Sequence, residues 1–124
     1  IGGLGRAGGR RGAKKARIKV GPLKVNGPLD KNMVKRVVMR QKYAMKYCYQ
    51  RELIRDPELK GRLVLRWTIG PQGRVEKVAK IKGSLKNKKV RNCIERRIKR
   101  MRFPQPEDKG RVELELSLLF VVTD

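Results

Sequence analysis

Two cysteines, Cys48 and Cys93, are the side chains of this 124-residue chain best suited to covalent chemistry. The chain contains no histidine, so neither thiol has the usual base of a catalytic cysteine, and the two do not form the C-x-x-C motif of a redox pair. Each cysteine falls on a different predicted helix. We therefore predict a structural disulfide between them, with two free buried thiols or redox chemistry as the alternatives.

A second motif with chemical potential lies near the start of the chain, where residues 3–8 read GLGRAG and fit the G-x-G-x-x-G pattern. In dinucleotide-binding proteins this pattern follows a strand and opens an apolar helix. Here it lies within residues 1–17, which consist almost entirely of glycine, arginine, lysine and alanine. We interpret residues 1–17 as a flexible basic linker and residues 18–124 as one domain, and we predict no enzyme activity, no cofactor and no metal site.

The net charge of +23, from 34 basic and 11 acidic residues, indicates an anionic partner or surrounding. Residues 86–102 contribute nine basic residues and one acidic residue. We predict that this stretch contacts a polyanion, such as an anionic polymer, a membrane surface or nucleic acid. The predicted contacts are Lys86, Lys88, Lys89, Arg91, Arg96, Arg97, Lys99 and Arg100.

The aromatic residues are too few for a platform on which nucleic-acid bases stack. Trp67 shares an alternating face with Leu65 and Ile69, so we predict that it lies in the core. The tyrosines at 43, 47 and 49 are predicted to be half-buried helix residues that cover a sheet.

Hydrophobic periodicity predicts the elements that must position these side chains. One helix runs from an N-cap at Asp30 to about Arg55, where Asp56-Pro57 ends it, and a second runs from about Lys86 to Met101. Between them lies a hairpin of strands 63–69 and 75–81, the second with a bulge, and a long alternating strand at 112–122 closes the chain. Residues 18–25 are compatible with a short strand. The predicted fold is α+β, with two helices on one face of a small three-stranded antiparallel sheet.

Several short runs, taken together, resemble one protein family. The runs are CYQREL at 48–53, PELKG at 57–61, WTI at 67–69 followed by Gly73 and Val75, GSL at 83–85, CI at 93–94, and FP at 103–104 followed by Pro106. In this order and spacing the chain resembles the AgmX/PglI-type C-terminal domain, a branch of the TonB C-terminal-like group. The resemblance covers about residues 30–124 and also the Gly-rich GGLGRAGG run at 2–9.

The resemblance implies a non-enzymatic, periplasmic protein-interaction module, tethered to the inner membrane through an upstream segment. Other envelope proteins are then the expected partners, in trans-envelope force transmission or gliding motility. The last strand is expected at the rim of the sheet, where Ser117, Leu119 and Val121 would pair with an extended partner segment or with a second copy of the domain. The alternative function is that of a basic, ribosome-like nucleic-acid-binding protein.

Overall fold

The computed structural model describes residues 15–79 and 82–123, and it folds this part of the chain into three α-helices and one four-stranded antiparallel sheet. The elements in chain order are β1 (Lys15–Asn26), α1 (Lys31–Arg40), α2 (Lys42–Leu53), β2 (Gly61–Ile69), β3 (Val75–Val78), α3 (Lys88–Lys99) and β4 (Val112–Thr123). The mixed architecture that the sequence predicts is confirmed. The predicted numbers of three strands and two helices are wrong.

Some of the sequence predictions fall outside the described residues. These are the G-x-G-x-x-G pattern at 3–8, the part of the predicted linker that covers residues 1–14, and Ile81 of the returning strand. The boundary between linker and domain is corrected, because residues 15–17 form the start of β1.

The fourth strand is β1, which pairs with β4 from Lys15 opposite Thr123 to Asn26 opposite Glu113. Its register shifts between Val20 and Leu23, so that Gly21 and Pro22 together lie opposite Ser117. This bulge returns the apolar side chains to the buried face, since Ile18 pairs with Phe120 before it and Leu23 pairs with Leu116 after it. A pattern that looks broken in sequence is therefore a continuous strand of 12 residues.

The predicted helix from Asp30 to Arg55 is two helices. Asp30 does cap α1, since its carboxylate accepts a hydrogen bond of 2.8 Å from the Asn32 amide. At Gln41 the backbone leaves the helical region (φ −90°, ψ 0°), and its amide donates to Val38 O, three residues back, at 3.0 Å. This tightened turn ends α1, and α2 begins at the next residue.

The strand order is β1-β4-β2-β3, and the helices cover the face that carries the buried strand side chains. Phe120 lies buried on this face, with its ring centroid 5.2 Å from that of Tyr49 in an edge-to-face arrangement. The Tyr49 hydroxyl donates to Leu59 O, and burial, aided by the charge of Asp56, raises the pKa of Tyr49 to about 12. Trp67 is 1 % exposed, which confirms its predicted place in the core.

The prediction for the tyrosines is wrong at all three positions. Tyr49 is fully buried, whereas Tyr43 is 83 % exposed and Tyr47 is 56 % exposed. The difference follows from helical spacing, because Tyr49 falls on the buried stripe of α2 with Met45, whereas Tyr43 and Tyr47 lie off it.

Candidate interaction surfaces

The two cysteines form a disulfide that joins α2 to α3, with their Cα atoms 5.7 Å apart. Both residues are buried in the core between these helices. A bond placed there fastens one helix to the other and is closed to a redox partner in the folded protein. The pairing agrees with the predicted structural disulfide between Cys48 and Cys93.

The described residues hold no group of three or more histidine, cysteine, aspartate or glutamate side chains that could bind a metal ion. No helix among them is long and apolar enough to cross a membrane. The accessible surfaces of the described residues are the two edges of the sheet, its open face and the exposed side of α3.

The predicted partner edge at Ser117, Leu119 and Val121 is wrong, because β4 is an interior strand. It pairs with β1 on one side and with β2 on the other along most of its length. The three side chains instead lie half-buried on the open face of the sheet, where Leu119 is flanked by Lys19 and Arg62. Alternation along β4 correctly predicted its buried face, but a strand's own pattern does not show how many neighbours it has.

Two acidic residues of the sheet, Glu115 and Glu76, form ion pairs within the chain, whereas the exposed Glu113 on β4 has no described ion pair. Glu115 accepts from Arg66 Nε at 2.7 Å and lies 3.5 Å from Lys24 Nζ. The hydrogen bond from Arg66 is the main cause that lowers the pKa of Glu115 below its usual value, and the charge of Lys24 adds to it. Glu76 binds Arg111 Nε at 2.8 Å in the same way. These pairs leave the surrounding lysines and arginines as the net charge of the surface.

The two true edges of the sheet differ in length. The β3 edge has four residues, Val75–Val78, and its register with β2 shifts between Thr68 and Ile69, which agrees with the bulge predicted in this hairpin. The β1 edge has 12 residues and pairs with β4 on one side only. An extended segment would therefore find a longer row of unpaired backbone groups along β1 than along β3.

A groove of about 910 Å³ runs along the free side of β1. Its lining includes every residue from Ala16 to Leu23. Since successive residues of a strand point to opposite faces, a groove that touches all of them follows the backbone edge. The far wall of the groove is formed by α1 and α2, and its lining side chains are Lys31, Lys35, Val38, Met39, Lys42, Tyr43 and Lys46.

The eight predicted polyanion contacts on and before α3 differ in their exposure and in their partners within the chain. Lys86, Lys88, Lys89, Arg96 and Arg100 are exposed. Arg91 is half-buried and donates to Leu85 O at 2.7 Å and to Gly83 O at 3.0 Å, so it holds the preceding loop in place. Lys99 pairs with Glu95 at 3.0 Å, and Arg97 is half-buried. Five of the eight side chains are thus presented to solvent without a described ion pair.

The lysines of the groove wall were not predicted as contacts from the sequence, although their spacing indicates that they share one helical face. Lys31, Lys35, Lys42 and Lys46 lie at i, i+4, i+11 and i+15, which is the spacing of one helical face. Val34, Val38, Met45 and Tyr49 repeat the same spacing three residues later and are all buried. The sequence spacing is therefore enough to place the lysine stripe beside the buried stripe. It does not show which strand the lysines face.

Comparisons of the chain with protein-family models, with curated proteins and with solved structures each found no match.

Proposed function

We propose that this chain is a non-enzymatic protein-interaction module that binds an extended segment of a partner protein as an added strand on the free edge of β1. The observation that carries the proposal is the groove along that edge, which leaves the backbone of residues 16–23 open to a partner. Main-chain hydrogen bonds supply affinity in this mode of recognition, and pockets for alternate side chains supply selectivity.

The setting that we propose is the periplasm of a bacterial envelope, with the domain tethered to the inner membrane through an upstream segment. The disulfide supports an oxidising compartment, because such bonds persist there and are rare where thiols are kept reduced. The resemblance to the AgmX/PglI-type and TonB C-terminal-like domains supports a place in trans-envelope force transmission or gliding motility, with other envelope proteins as partners.

Strand addition can be tested by locating where bound peptides protect the backbone. Eight-residue peptides would be selected from a random displayed library on the immobilised, oxidised domain, and amide hydrogen exchange would be followed by NMR. We expect alternate amides of residues 15–20 to exchange about tenfold more slowly in the complex, because half of the amides of an edge strand point away from its neighbour. The β3 edge at Val75–Val78 is the internal control and should not change.

Two results would contradict this proposal. Protection of Val75–Val78 in place of β1 would move the docking site to the opposite edge of the sheet. If the bound peptides slow the hydrogen exchange of no amide in any strand, recognition uses side chains alone.

Nucleic-acid binding is the second candidate, and the exposed basic side chains on and before α3 favour it. For the five exposed contacts, counterion release predicts that affinity for duplex DNA or heparin falls about 500-fold between 50 and 200 mM salt. The variant Lys88→Glu with Lys89→Glu should weaken this binding and lower its salt dependence, because it removes two of the five contacts. Fluorescence anisotropy with several labelled duplexes measures both quantities. A sequence preference that persists at 200 mM salt would favour nucleic acid as the partner.

A further inference from the structure

We propose that the segment added to the β1 edge is acidic, an extended peptide rich in aspartate and glutamate. This rests on the docking function proposed above and adds the chemical class of the partner.

The charge of the groove carries this assignment. Six basic residues line it, and among the described residues that line it none is acidic: the six are Arg17, Lys19, Lys31, Lys35, Lys42 and Lys46. None of them forms an ion pair with another described residue, in contrast to Lys24 further along β1, which pairs with Glu115. The groove thus holds uncompensated positive charge that an anionic partner would neutralise.

The basic residues stand on both sides of the path that an added strand would follow. The lysines of α1 and α2 form one wall, and Arg17 and Lys19 point to the opposite face of the sheet. Successive side chains of a docked strand point to these two sides in turn. Acidic residues at odd or at even positions of the segment would therefore meet basic side chains. The edge from Ala16 to Leu23 spans about 23 Å at 3.3 Å per residue, which fits a partner segment of about seven or eight residues.

The same charge argues against two occupants from within the protein. Residues 1–14 hold four basic residues and no acidic one, so the chain that precedes β1 is repelled by the groove. A second copy of β1 would bring Lys15, Arg17, Lys19 and Lys24 close to their equivalents, and like charges placed opposite one another destabilise a strand pair. The occupant is therefore a segment of another protein.

The apolar residues of the far wall give the segment a place to anchor between its charges. Tyr43 is 83 % exposed and Met39 is 38 % exposed, and both line the groove. Large apolar side chains kept open to solvent beside a free edge are suited to covering apolar side chains of a partner. A peptide that alternates acidic and aliphatic residues therefore matches the site better than a purely acidic one.

The test uses three synthetic eight-residue peptides that alternate valine with glutamate, with glutamine or with lysine. Binding to the oxidised protein is measured by NMR titration at 50 mM salt. We expect the glutamate peptide to bind about tenfold more tightly than the glutamine peptide, and the lysine peptide not to bind. The variant Lys42→Glu with Lys46→Glu should weaken the glutamate peptide about tenfold. The matched control, Lys88→Glu with Lys89→Glu on α3, makes the same charge change outside the groove and should leave the affinity within about twofold.

A second variant tests the charge of the same groove in case the first variant does not fold. Lys31→Glu with Lys35→Glu places negative charge in the first turns of α1, where the helix dipole favours it, and should weaken the glutamate peptide to a similar degree. Circular dichroism confirms that each variant is folded.

The outcomes separate this inference from the proposed function. Equal binding of the glutamate and glutamine peptides, or equal loss in the α3 control, overturns the acidic partner and leaves strand addition standing. A glutamate peptide that is N-methylated at alternate residues keeps its charge but loses one edge of hydrogen-bonding groups; if it binds as tightly as the parent, strand addition is overturned. A single-stranded oligonucleotide that displaces the peptide and binds more tightly at 200 mM salt would overturn the acidic peptide in favour of nucleic acid.

Discussion

Reduction of the Cys48–Cys93 disulfide is expected to lower the free energy of unfolding by about 4 kcal/mol. The two cysteines are 45 residues apart in sequence, so the bond removes from the unfolded chain the conformations of a loop of that length. Much of the stability of a domain this small would be lost with it. The measurement is urea denaturation of the oxidised protein with and without a thiol-free reductant.

The variant Cys48→Ala with Cys93→Ala is the control for this prediction. It should unfold at the same low urea concentration with and without reductant, because it has no bond to break. Two free thiols that titrate in the folded, air-oxidised protein would contradict the pairing. An oxidised protein whose urea midpoint equals that of the double alanine variant would show that the link contributes little to stability.

Truncation of Phe120 to alanine is expected to cost about 3 to 5 kcal/mol. Its side chain is fully buried on the covered sheet face, on an interior strand and against the ring of Tyr49. Neither strand neighbour can move inward to fill the space, because β4 is held on both sides. Equilibrium unfolding by urea, followed by tryptophan fluorescence, measures the loss.

Leu119→Ala is the matched control for Phe120→Ala. Leu119 is the adjacent residue on the same strand and lies half-buried on the open face, so its truncation should cost about 1 kcal/mol. A similar loss for both variants would mean that the open face is covered as well, for example by a second copy of the domain.

The sequence predicted the elements whose patterns are regular. The alternation from Leu63 to Ile69 and from Val112 to Val122 gave two strands with the correct buried faces, and Asp56-Pro57 marked the end of the helical region. In each case one local rule, of alternation or of backbone restriction by proline, acts without help from distant residues. The disulfide was predictable for a similar reason, since two cysteines without a histidine leave few other roles.

Tertiary contacts decided the elements that the sequence did not predict. The Gly21-Pro22 step interrupts the apolar alternation of β1, and only pairing with Ser117 shows that it is a bulge within a long strand. No glycine or proline marks the break at Gln41, through which the buried stripe continues unchanged. The candidate site depends on β1, because this strand places β4 in the interior of the sheet and provides the edge that the lysines face.

The pairing of Lys15 with Thr123 has a mechanical consequence. The described part of β1 begins at this corner, so tension applied to the Lys15 end would pull β1 along its own axis. A partner strand that leaves at the opposite end, near Asn26, would load all its hydrogen bonds together and resist in shear. One that leaves beside Lys15 would open one bond at a time, like a zipper. The end at which the bound segment is tethered would then set the force that the strand pair withstands, with the same hydrogen bonds and the same affinity.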